Sequence, residues 1–75
     1  MDDVRHPDID VQLSGLSSNA MALTCAVVDA IKEAARRGTI TREERDESIR
    51  EFRAEAYSGD YDHLLQTCMK WVNVS

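Results

Sequence analysis

Two cysteines, one proline, three glycines and four aromatic residues are all that this 75-residue chain carries of those types, and each scarcity excludes something. Cys25 and Cys68 lie far apart, with no Cys-x-x-Cys spacing and no neighbouring histidine. Neither a structural metal site nor a dense disulfide framework is expected from them. Gly15, Gly38 and Gly59 stand singly and build no phosphate-cradling loop, so they read as element boundaries. No apolar run is long enough to cross a bilayer, the longest being Ala20–Val28 before Asp29 interrupts it. The opening Met1–Asp2–Asp3 does not resemble a secretion signal, and free thiols suit a reducing compartment, so a cytoplasmic protein with no membrane partner is expected. A Cys25–Cys68 bridge stays open at this level.

Basic charge is also short. Nine Lys and Arg face fourteen Asp and Glu, for a net charge of −5, which repels phosphate backbones and anionic membrane surfaces. Catalytic candidates are few and scattered. His6 falls near the start, and His63 sits in an Asp60-Tyr61-Asp62-His63 cluster at a helix start, where carboxylates favour the positive end of the helix dipole. Helix capping accounts for that cluster. No catalytic, cofactor-binding or metal-ligating residue is assigned, and no enzymatic role is expected.

What the chain does have is helical periodicity between two short alternating segments. Residues 1–8, with their charges and Pro7, read as a flexible N-terminal arm, and residues 9–75 as one compact domain. Ile9, Val11 and Leu13 alternate with polar residues as a half-buried strand does, and Gly15 closes it. Ser17, Ser18 and Asn19 offer N-caps for a helix running to Arg37 and ending at Gly38. Thr41 and Glu44 have capping-box spacing for a second helix reaching about Tyr57, whose only apolar residues on one stripe are Ile49, Phe52 and Ala56. Arg42/Asp46, Asp46/Arg50 and Glu47/Arg50 are spaced there as surface ion pairs. Asp60 caps a third helix with Tyr61, Leu64, Leu65, Cys68, Met69 and Trp71 at helical spacing, and Val72–Asn73–Val74 returns to strand-like alternation. The expected fold is α+β and mostly helical, in the order strand, helix, helix, helix, strand, with a small two-stranded sheet.

A chain this short has a thin core, and a two-stranded sheet leaves both edges open. The first helix carries an apolar arc of roughly 200°, about twice the usual stripe. It is either a central helix covered on several sides or a helix that gives part of its arc to a subunit interface. A homodimer is expected, with Met21, Cys25, Val28, Tyr57 and Trp71 as candidate interface residues. Both cysteines read as small buried hydrophobes, and Trp71 and Tyr61 read first as core.

The helix pair joined at Gly38 has the layout of a helix-turn-helix, but Arg42, Arg45, Arg50 and Arg53 are outnumbered by acids in the same segment, so DNA binding is a secondary reading. A small-ligand site at a dimer seam is another. The stretch Ser58-Gly59-Asp60-Tyr61-Asp62-His63-Leu64-Leu65-Gln66-Thr67-Cys68-Met69-Lys70-Trp71-Val72, with His6-Pro7-Asp8-Ile9 and Asn19-Ala20, resembles a group of small accessory proteins of actinobacterial phages, those of mycobacteria among them. The resemblance implies expression inside an infected bacterium and assigns no site residue. Together these readings lead to the expectation of a non-catalytic protein that binds a host or phage protein.

Overall fold

The computed structural model describes residues 4–13 and 19–74. The order is strand β1 (His6–Val11), helices α1 (Ala20–Arg36), α2 (Arg42–Ala56) and α3 (Tyr61–Trp71), then strand β2 (Val72–Val74). The expected mostly helical α+β fold is therefore present, and its two strands pair in parallel. The roles read for Gly15, Ser17 and Ser18, and the first residues of the arm, lie outside the described residues.

The N-terminal boundary needs correction. The strand starts at His6 rather than Ile9, so residues 6–8 are strand, and the Arg5 N–H just before it donates to the Lys70 carbonyl at 2.9 Å. Pro7 is tolerated because, among the described residues, β1 has a strand on one side only, and at a sheet edge a missing N–H need not break a ladder. His6 pairs with Val72 and Asp10 with Asn73, so three residues of β1 bulge out between partners that are adjacent in β2. The Asn73 side-chain amide donates to Asp10 Oδ1 at 2.7 Å and fixes the register beyond the bulge.

Each helix begins and ends where local chemistry requires. Asn19 caps α1 by accepting from the Met21 N–H at 2.8 Å. At its other end Gly38 takes φ +85°, and the Gly38 and Thr39 amides donate to the Ala35 and Ala34 carbonyls, which is a Schellman closure. Thr41 Oγ1 accepts from the Glu44 N–H at 3.0 Å to start α2, and Asp60 Oδ1 accepts from the His63 N–H at 2.9 Å to start α3. Of the ion pairs expected from spacing on α2, none forms among the described residues; Asp46 takes its neighbour Arg45 at 2.9 Å.

α1 is the central element and touches β1, α2 and α3. Its buried face is Leu23, Thr24, Val27, Val28, Ile31 and Ala34, and Phe52, Val72 and Cys68 complete the fully buried centre. The two buried threonines are satisfied locally, Thr24 and Thr67 donating back to the carbonyls four residues earlier. Gly59 is needed for closeness rather than for backbone freedom. A Cβ there would stand 2.8 Å from His63 Cγ, while the His63 ring is held by its Nε2–H donating to the Glu55 carbonyl at 2.9 Å.

Two outcomes check this packing. Val28, only 2% exposed, should not tolerate aspartate: Val28→Asp leaves an unpaired carboxylate in the core at a cost of about 3 kcal/mol or more, and circular dichroism should show an unfolded chain. Gly59→Ala should destabilise by about 1–3 kcal/mol in urea unfolding, and by less in a His63→Ala background, which removes the ring atoms at 2.8 and 2.9 Å and leaves only the close approach to the residue-63 Cβ at 2.9 Å.

Candidate binding surface

The five residues singled out from sequence separate into two groups. Met21 is 67% exposed, Tyr57 is 56% exposed, and Cys25 is also at the surface. Val28 and Trp71 are buried and belong to the core, which removes them from any surface in the folded monomer. Cys25 therefore departs from the expectation of a buried thiol, and only Cys68 meets it; both thiols are free. Burial pushes the Cys68 thiol up from its ordinary value.

Trp71 is buried by a polar rim as much as by apolar neighbours. Phe52 meets its ring edge-on at 5.9 Å, Arg5 stacks its guanidinium 4.2 Å from the ring centroid, and Nε1–H donates to Glu55 Oε2 at 2.6 Å. Lys70 reaches the other Glu55 oxygen at 3.6 Å, and Arg5 also contacts Glu51 Oε2 at 2.6 Å. That Glu51 oxygen is shielded from solvent and makes no directed hydrogen bond, so the close guanidinium is its compensation. His6 lies beside the same ring and shares a 2.9 Å hydrogen bond with Ser48 Oγ, which explains a buried serine on α2.

Two surface features were not read from the sequence. The first is a stripe on α3: Tyr61 (40% exposed) and Met69 (56% exposed) flank the half-buried Leu65 at spacings of four residues. The signal was there, since 61, 65 and 69 form a row separate from Leu64, Cys68 and Trp71, but one wheel merged the two. The second is a groove of about 280 Å³ between β1 and the C-terminal half of α1. Ile9, Ala30 and Ala34 give it an apolar floor, and Asp8, Asp10, Glu33, Arg37 and Thr39 line the rest. Glu33 is engaged there by Arg36 at 2.6 Å and Arg37 at 3.2 Å, and its hydrogen bond from Arg36 holds its carboxyl below the ordinary range.

Both histidines are committed to holding elements together, His63 across the α2–α3 corner and His6 between β1 and α2. No group of three potential metal ligands occurs among the described residues. No helix of the structure is long and apolar enough to cross a membrane.

The His6 environment has a pH signature. Its imidazole is held below its ordinary 6.5, first because burial penalises the charged form and then because Arg5 is adjacent, with Glu44 pulling the other way. The unfolded chain therefore takes up a proton that the folded chain resists. This contribution to stability should be complete above pH 6.5 and be lost as pH falls through the lower folded value. Urea unfolding at pH 7.5 and at pH 5.5 checks it: His6→Gln should shrink the difference, and an unchanged difference would assign the pH dependence elsewhere.

Comparison of the chain with known protein families, with curated proteins and with solved structures finds no match in any of the three.

Proposed function

We propose that this chain acts by binding protein rather than by catalysis, as a homodimer that presents its remaining surface to a host or phage protein in the bacterial cytoplasm. The observation that carries the reading is the set of large apolar side chains left at the surface, Met21, Tyr57, Tyr61 and Met69, on a protein whose core is small. Tyrosine and methionine are residue types enriched in the buried centres of protein interfaces. The α3 row of Tyr61, Leu65 and Met69 has the spacing with which one helix lies against another. A standard interface takes roughly 800 Å² from each partner. Out of a total surface of 5059 Å² that is a sixth or so, an area this chain can give up while keeping a second surface free.

The net charge of −5 favours a protein partner over nucleic acid. The phage setting rests on the resemblance alone, carried by the Ser58–Val72 stretch with His6-Pro7-Asp8-Ile9 and Asn19-Ala20.

Light scattering over a concentration series tests the dimer. The expected mass is twice the 8.5 kDa of the chain, falling to that of one chain in a Tyr61→Ser/Met69→Asp variant that keeps its helical circular dichroism, since both side chains are exposed. A monomer at every concentration, with the variant indistinguishable from the parent, overturns the reading.

A further inference from the structure

The geometry points to the groove beside β1 as a docking site for an extended cationic segment of another protein, added as a third strand to the sheet. This deepens, and rests on, the reading of the chain as a protein-binding one.

β1 has a single paired neighbour, β2, and β2 contributes nothing to the groove. The groove therefore opens on the other side of β1, where a strand turns the N–H and C=O of every second residue outward. Among the described residues no strand covers that edge. The floor beyond it is Ala30 and Ala34 with Ile9, and the small alanine side chains leave room for the alternate, inward-facing side chains of an added strand. Pro7 has no N–H, so the usable edge begins at Asp8.

Charge selects the occupant. Arg36 and Arg37 both pair with Glu33, so among the groove's carboxylates Asp8 and Asp10 are the ones left without a cation, both exposed and on the same side of β1. Asp10 accepts from a neutral amide only, and Asp8 has no partner among the described residues. A second copy of β1 is a poor occupant. Antiparallel two-fold pairing centred on Asp8, Ile9 or Asp10 places carboxylate opposite carboxylate, a destabilising arrangement in a sheet. A strand with apolar residues alternating with Lys or Arg meets both requirements, placing its apolar set over the alanines and its cations opposite the two aspartates.

The probe is a fluorescein-labelled eight-residue peptide of alternating valine and lysine, titrated with the intact protein and followed by anisotropy. Saturable binding is expected. It should weaken about tenfold in Asp8→Asn/Asp10→Asn. N-methylating the valines in one peptide and the lysines in another should abolish binding for one and spare it for the other, since only one alternate set faces the edge. Equal binding by both methylated peptides would mean charge attraction without strand pairing and would overturn the inference. So would absence of binding by the parent peptide. Light scattering on the unsubstituted protein separates the two proposals: a dimer to which the parent peptide fails to bind sinks only the docking site, and a monomer that still binds it with one methylated peptide spared and the other lost sinks only the dimer.

Discussion

Parallel pairing of β1 with β2 is the constraint on which the remaining structure hangs. Parallel neighbours cannot be joined by a tight turn; they need a crossover long enough to return to the start of the sheet. Here the crossover is the whole helical body, α1 to α3, so the three helices are one connection between two short strands. The connection has to cover the sheet as it passes, which is why α1 lies against β1 and why its apolar arc is so wide. Ile9, Val11 and Val72 supply the sheet's buried side of that contact.

The short sheet is held at its open end by Trp71, the residue that joins α3 to β2. Around it, α2 supplies Phe52 and Glu55, and β1 with its preceding residue supplies His6 and Arg5. A guanidinium over an indole contributes roughly 0.5–2 kcal/mol depending on how far it is desolvated. The half-exposed Arg5–Glu51 pair adds little by itself. Geometry is the larger effect, because a single indole fixes the distance between β1, α2 and α3 at once. Glu55 serves the same corner twice, with its carboxylate on Trp71 and Lys70 and its carbonyl receiving Ser58 Oγ and His63 Nε2.

Helix limits were legible because capping chemistry is local. Asn19, Gly38, Thr41 with Glu44, and Asp60 each act within a turn of where they stand, and the helices match them to within a residue or so. The element order followed from periodicity for the same reason. Strand direction and register did not, since they depend on residues more than sixty positions apart. Pro7 masked the true start of β1 because its restriction is a strand-breaker inside a sheet and harmless at an edge. Exposure was the other failure. A helical wheel orders side chains by angle without saying how many neighbours surround the helix, so Cys25 and Tyr61 looked buried where the fold leaves them exposed. The surface features consequently came from the fold and not from the pattern.

Asp8 and Asp10 also matter before the sheet exists. The partner of β1 is made more than sixty residues later, so at roughly 5–20 residues per second the strand waits for about 3–12 seconds during synthesis with both edges bare. Ile9 and Val11 in that interval form a short β-prone segment of the kind that draws neighbouring chains into aggregates. Alternating them with carboxylates places a gatekeeper charge beside each, so that nascent chains repel one another until their own β2 arrives.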